Sequence, residues 1–187
     1  MIDKLKIKIF ADGADIKNIE ELCKNPLIKG FTTNPSLMKK KGIWFYGLSG
    51  VGKSYISNVL QHNLKNSIIV DGDMVRKYIS FDLKYKKSDR EIQVKRVFGI
   101  AKIITKSGMY PIISTVWMNN EILKMCKKEN IEVCLVERDM KKIIEQHKTY
   151  KNKKDVVGIN LIYDKMKTIK IINSIDKSPW IQLKKLI

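Results

Sequence analysis

Residues 42–60, GIWFYGLSGVGKSYISNVL, run from an apolar segment through a glycine-bounded loop into a helical pattern that begins behind a lysine and a serine. The loop Gly47-Leu48-Ser49-Gly50-Val51-Gly52-Lys53-Ser54 fits G-x-x-x-x-G-K-[ST], in the strand-to-helix context that this motif needs. Glycines let the backbone wrap with its N–H groups inward. Together with the positive end of the following helix they form a cradle for phosphate oxygens. Lys53 is expected to reach the β- and γ-phosphates and the Ser54 hydroxyl to ligate Mg²⁺. The expected nucleotide-binding set is therefore Gly47, Leu48, Ser49, Gly50, Val51, Gly52, Lys53, Ser54 and Tyr55, with ATP and Mg²⁺ as cofactors.

From residue 42 onward, short β-branched runs alternate with longer helical patterns. Strands are expected over Ile43–Gly47, Ser67–Val70, Met109–Val116, Ile131–Val136 and Ile169–Asn173, and helices near 52–64, 88–107, 118–129 and 139–150. That alternation predicts an α/β domain, a mainly parallel five-stranded sheet with helices on both faces. At the end of the chain, Ser178 and Pro179 supply an N-cap and a first-turn proline for a packing helix that carries Trp180. Residues 1–41 read as a separate piece: a strand in IKIFADGAD, an amphipathic helix in IKNIEELCK and a second strand edge in FTTNPS.

A phosphate loop alone does not distinguish a kinase from a GTPase or a motor ATPase. IIVDGDMVR narrows the choice, because it brings Asp71 and Asp73 to the C-terminal edge of the sheet, where ligands of open α/β folds collect. A carboxylate there can orient or deprotonate an acceptor hydroxyl and help hold magnesium. Arg76, one turn on, suits an anionic acceptor. Asp71 and Asp73 are both candidates for the carboxylate's role, beside Lys53 at the phosphates.

The net charge of +18 raises the question of nucleic acid. It comes almost wholly from lysines spread over every segment, with arginine only at positions 76, 90, 96 and 138, and a scattered lysine excess reads as a solvated face. No nucleic-acid partner is expected. A polynucleotide-stimulated or regulatory ATPase is the rival reading, and the Asp-Gly-Asp block argues against it. No apolar stretch approaches the roughly 20 residues of a membrane span, so no membrane partner is expected and the cytoplasm is the expected compartment. Cys23, Cys126 and Cys134 lack metal-ligand spacing.

Beyond these residue-level readings, the stretch from about 42 to 175 resembles the adenylylsulfate kinase family of P-loop kinases. The resemblance is carried by IWFYGLSGVGKS, by VDGDMVR for the family's LDGDNxR, by SDREIQVKRV for DRxxNIRRV, by EVCLV for EVYV, and by KDVVGINLIYDK for the segment containing FTGIDxPYE. It implies transfer of the ATP γ-phosphoryl group to the 3′-hydroxyl of adenosine 5′-phosphosulfate. Asp73 would then stand at that hydroxyl, Arg76 and Arg90 would hold the acceptor's 5′ anion, and Tyr85 would stack on its base. Lys148 of HKTYK matches the lysine of the family's lid. Asp71, Gln93 and Val156 complete the implied substrate set, and a homodimer is a further expectation.

Three departures bear on the acceptor. Gln93 replaces an asparagine, Val156 replaces an aromatic residue that sandwiches adenine, and VWMNN stands for ISPYR. Losing an aromatic wall removes about 1–3 kcal/mol of stacking, which keeps open a kinase of cell-surface polysaccharide modification acting on cytidine diphosphoramidate. The stretch FADGADIKNIEELCKNPLIKGFTTNPSLMKK resembles the start of a transaldolase-type barrel. It lacks the Schiff-base lysine and the rest of that barrel, so residues 1–41 are expected to be a non-catalytic fragment before a kinase domain at 42–187.

Overall fold

The computed structural model describes residues 9–12, 24, 28–32, 40–139, 141–151, 154–174, 179–184 and 186. Two compact units divide the chain, Met1–Lys39 and Lys40–Ile187. In the first, β1 (Ile9–Asp12) pairs in parallel with β2 (Ile28–Thr32). The helix expected in IKNIEELCK falls outside the described residues except for Lys24.

The second unit contains β3 (Gly42–Tyr46), α1 (Lys53–Asn63), β4 (Ser67–Asp71), α2 (Gly72–Tyr78), α3 (Lys87–Lys106), β5 (Tyr110–Thr115), α4 (Asn120–Lys128), β6 (Ile131–Glu137), α5 (Lys141–Gln146), α6 (Lys148–Lys151), β7 (Ile169–Ile172) and α7 (Pro179–Leu183). The sheet order is β4-β5-β3-β6-β7, and every pairing is parallel. From β3 the chain passes to one side of the sheet for β4 and β5, then crosses to the other side for β6 and β7. The crevice at the carboxyl end of β3 lies where those two directions part, the place at which open α/β sheets bind ligands.

A sheet covered on both faces needs strands that are apolar throughout, and β3 is buried along its whole length. Trp44 and Tyr46 face a core formed with Val94, Val97, Phe98 and Ala101 of α3 and Ile122, Leu123 and Cys126 of α4. Ile43 and Phe45 face the opposite core, with Ile56 and Leu60 of α1 and Leu183 of α7. Period-two alternation on one strand thus supplies two cores. Both Cys126 and Cys134 are buried free thiols pushed up to about 12 by desolvation, so packing is their role.

Where the structure differs from the sequence expectations, local chemistry explains the difference. Gly47 is the first loop residue rather than the end of β3: its φ is 155°, and a Cβ there would lie 2.5 Å from Val136 O. The helix expected over 139–150 breaks at His147 into α5 and α6. Helix α2 was not expected at all. Asp71 creates it by capping its first turn, accepting from the N–H groups of Asp73 and Met74 at 2.9 and 3.3 Å. Pro179 opens α7 as expected, whereas the Ser178 cap and the Trp180 side chain lie outside the described residues. Gln182 of α7 closes the free edge of β7. Its amide accepts from Ile172 N–H at 3.0 Å and donates to Ile172 O at 2.9 Å, the groups a further strand would otherwise recruit.

Inside the sheet, the Trp44 indole is fully buried and donates to Thr115 Oγ1 at 2.8 Å, while that hydroxyl donates to Trp117 O at 2.8 Å. Thr115→Val keeps the volume and strands both partners. It should lower unfolding free energy by about 1–3 kcal/mol without changing the fold, as measured by urea denaturation with circular dichroism; an unchanged midpoint would contradict the assignment.

Candidate active site

The phosphate loop is held by its side chains so that its backbone stays available. Val51 is buried in one core and Leu48 packs against both. Asn173, at the end of β7, donates to Val51 O at 2.7 Å, and the Tyr150 hydroxyl of α6 donates to Ser49 O at 2.8 Å. Gly52 precedes α1 with φ 93°, and a Cβ there would collide with the Asn173 amide. That close approach, not flexibility alone, calls for glycine.

Lys53 folds back over the loop and donates to Gly47 O at 3.0 Å and Leu48 O at 2.8 Å. Desolvation lowers its ammonium from the ordinary lysine range to about 8, against the opposing pull of Asp73 and Asp71. The Ser54 hydroxyl points at Asp71 Oδ2 across 3.3 Å, and Ser114 of β5 donates to the same oxygen at 2.9 Å. Both oxygens of Asp71 are therefore engaged by protein donors. Asp73 is exposed one residue beyond Gly72, near enough to Lys53 to act on its charge. Tyr55 is exposed on the first turn of α1.

A second cluster gathers around Tyr85. Arg76 stands over its ring at 4.9 Å and Arg90 at 5.6 Å. Arg76 also donates to Lys84 O at 2.5 Å, and Arg90 donates to Tyr85 O at 3.0 Å and Asp155 O at 2.9 Å. Asp82 holds the far end of this loop through two hydrogen bonds from Arg96, at 2.5 and 2.8 Å. Burial first, and Arg76 second, push the Arg90 guanidinium below its ordinary value. Two like charges beside one exposed ring make a natural receptor for an anion on a flat heterocycle. One turn along α3, Gln93 is buried and donates to Gly72 O at 3.0 Å. Val156 is also buried, and its carbonyl accepts from the N–H groups of Ile159, Asn160 and Leu161. The tight turn so formed places Gly158 against Leu48, where a Cβ would lie 2.8 Å from Leu48 Cδ2.

The α5–α6 segment lies on the loop. A Cβ on Gly50 would meet Ile143 Cγ2 at 2.7 Å and the His147 ring at 3.2 Å, and His147 packs edge-on against Tyr150 at 5.8 Å. Lys148 opens α6 with an exposed side chain. The structure thus joins the phosphate loop, Asp71 and Asp73 at one sheet edge and gathers Arg76, Tyr85 and Arg90 in one cluster, linked to the first through Gln93 and Gly72. Sequence reasoning missed Ser114, Tyr150 and Asn173. The contacts of Tyr150 and Asn173 span 101 and 122 residues, and no local pattern announces them.

A family model described as adenylylsulphate kinase matches residues 39–177. The chain belongs to the adenylylsulphate kinase family. An adenylyl-sulfate kinase of Buchnera aphidicola is 32% identical over 139 residues, which are 65% of this chain and 66% of that protein. One from Clostridium acetobutylicum is 31% identical over 146 residues, 69% of this chain and 72% of that protein. Among other such relatives the match spans only about half of their length. The solved structure of the Mycobacterium tuberculosis APS kinase in complex with AMPPNP and APS superposes with a TM-score of 0.65 at 20% identity, covering 79% of this chain and 95% of that one, a likeness of fold. Family membership accounts for the five parallel strands and for the phosphate loop after the central strand. No helix among the described residues is long and apolar enough to cross a membrane.

The lowered Lys53 value has a pH consequence. A polyphosphate favours the ammonium form, which falls from mostly populated at pH 7 to a minor species at pH 9 when the free group titrates at about 8. Tripolyphosphate affinity should drop about tenfold over that interval in calorimetry, with proton uptake on binding at the higher pH. Lys53→Met should remove the dependence; a flat profile in the wild type would contradict it.

Proposed function

We propose that this chain is an ATP-dependent kinase that transfers the γ-phosphoryl group to the 3′-hydroxyl of adenosine 5′-phosphosulfate. The observation that carries the reading is the phosphate loop, with Lys53 folded over it and Ser54 bonded to Asp71 at the end of β4, from which α2 starts with Asp73 exposed on its first turn, within a chain of the adenylylsulphate kinase family. Motor and regulatory ATPases need no second carboxylate aimed at an acceptor. The Mycobacterium tuberculosis APS kinase of the same fold was solved in complex with AMPPNP and APS, which supports a site that takes two nucleotides.

In this mechanism the loop N–H groups and the α1 N-terminus hold the β- and γ-phosphates, and Lys53 leaves the carbonyls of Gly47 and Leu48 to meet their oxygens. Asp73 orients the acceptor hydroxyl and takes its proton as the oxygen attacks phosphorus. Arg76 and Arg90 grip the acceptor's 5′ anion, Tyr85 stacks on its base, and Lys148 on the lid adds positive charge when α5 and α6 close. The Ser54 hydroxyl beside the Asp71 carboxylate is an all-oxygen pair suited to a hard cation. Ser54 would hold Mg²⁺ directly, with Asp71 positioning that hydroxyl and bonding the ion's water shell. Bound there, the ion would neutralise charge developing on the phosphate oxygens.

A second acceptor stays in play because Val156 is a small residue where the resemblance expects an aromatic wall: cytidine diphosphoramidate is the alternative. The Met1–Lys39 unit is proposed to be a transaldolase-like fragment without catalysis, since about 40 residues, with one parallel strand pair among those described, are too few to close a barrel.

Mass spectrometry of products from MgATP and each acceptor tests the assignment. Adenosine 5′-phosphosulfate should gain one phosphoryl group, and Asp73→Asn should lower kcat by roughly 10²-fold or more with little change in KM for ATP. Phosphorylation of the cytidine compound alone would select the alternative, and near-wild-type turnover in Asp73→Asn would remove Asp73 from the chemistry. Val156→Phe separates the acceptors further. It should raise kcat/KM for the adenine compound by restoring a stacking wall and lower it for the smaller pyrimidine.

A further inference from the structure

At the amino end of the sheet, away from the phosphate loop, a cavity of about 440 Å³ opens between α4 and the start of β7. The described residues that line it all belong to the Lys40–Ile187 unit. Strand register explains the gap. Ile131, Glu132 and Val133 pair with β3, but β7 first meets β6 at Cys134, opposite Ile169. The amino end of β6 thus extends past its β7 neighbour, and α4 and residues 167–169 border the space that is left. Backbone bonds fix the turn from α4 into β6: Asn130 N–H donates to Lys127 O at 3.2 Å, and Asn130 O accepts from Lys41 N–H at 2.9 Å. The volume falls within the range of small-molecule sites.

The lining divides by chemistry. Leu123, Ile131, Val133 and Ile169 supply apolar surface, and the first three are core residues no more than 7% exposed. Lys40, Lys127 and Lys167 set three ammoniums against one carboxylate, that of Glu132. Glu132 is engaged by Lys40 at 3.1 Å, and the Thr168 hydroxyl shares a hydrogen bond of 2.9 Å with that of Tyr46. Polar recognition therefore falls to Lys127 and Lys167, which form no ion pair among the described residues. They come from separate elements, the last turn of α4 and the lead into β7, and converge on one cavity. An ammonium bordered by apolar surface attracts an anion more strongly than one surrounded by water, which sets this pair apart from the lysines scattered elsewhere.

We propose that this cavity binds a small organic acid, with its carboxylate or phosphate on Lys127 and Lys167 and its apolar body along Leu123, Ile131, Val133 and Ile169. A bare inorganic anion would leave the apolar lining unused, and a neutral hydrophobe would leave the ammoniums unused. The site is separate from the phosphate loop and from the Arg76–Arg90 cluster, and the inference does not depend on the kinase reading.

The test titrates the ¹⁵N-labelled full chain, with magnesium and AMPPNP present to occupy the phosphate loop, and follows amide shifts by NMR. Phenyl phosphate and phenylacetate carry a similar ring on the two candidate heads. At least one of them should shift the amides of residues 130–133 and 167–169, with a Kd at least tenfold below those of benzyl alcohol and of the matching bare anion, phosphate or acetate. Replacing both exposed lysines, Lys127→Gln with Lys167→Gln, should raise that Kd fivefold or more while AMPPNP affinity holds. Shifts confined to residues 76–90 would put the probes in the arginine cluster and overturn the proposal. So would binding of neither probe, binding no tighter than that of benzyl alcohol or the bare anion, or a Kd unchanged in the double variant.

Discussion

Asp71 accepts four hydrogen bonds at the C-terminal end of β4, and the geometry of this sheet edge follows from them. One oxygen takes the Asp73 and Met74 N–H groups and so starts α2; the other takes the hydroxyls of Ser54 and Ser114, from the first turn of α1 and the end of β5. Three elements that share no sequence neighbourhood are thereby set in register around one carboxylate. Because α2 begins at Gly72, Asp73 falls on its first turn and is exposed toward the crevice, and Arg76 follows one turn later toward the 83–85 loop. Had Asp71 been free to bind substrate, nothing local would fix the direction of Asp73. The engagement of Asp71 and the exposure of Asp73 are thus two sides of a single arrangement.

Positive charge is stored on both sides of this carboxylate pair. Lys53 gives up solvent to lie against loop carbonyls, and the Arg76 and Arg90 guanidiniums share one tyrosine ring despite their mutual repulsion. Each arrangement is costly when empty and is relieved by an anion, since a desolvated cation gains more from a phosphate than a hydrated one does. The scattered lysines that dominate the net charge take no part in this. A basic composition and a local cluster of desolvated cations are separate properties of the chain.

Much of this was legible in the sequence, and the limits are physical. Five strands and the phosphate loop could be read because β-branched runs, glycine spacing and the Lys-Ser pair are local signals that agree with one another. Helix α2 could not, since Asp-Gly-Asp looks like a turn until its first carboxylate is seen to cap the residues that follow. His147 interrupts the expected 139–150 helix because this segment turns to lay Ile143, His147 and Tyr150 on the phosphate loop, a tertiary demand that overrides helix propensity.

The α5–α6 segment and the 156–161 turn converge on the phosphate loop by different means. Tyr150 bonds to Ser49 O, His147 covers Gly50, and Gly158 sits on Leu48. The Tyr150 bond and the cover over Gly50 belong to α5 and α6, whereas the 156–161 turn is tied to Leu48 and, through Asp155 O, to Arg90. The phosphate loop is thus the common support of the α5–α6 segment, through Ser49 and Gly50, and of the 156–161 turn, through Leu48, and only the second of these is tied in turn to Arg90.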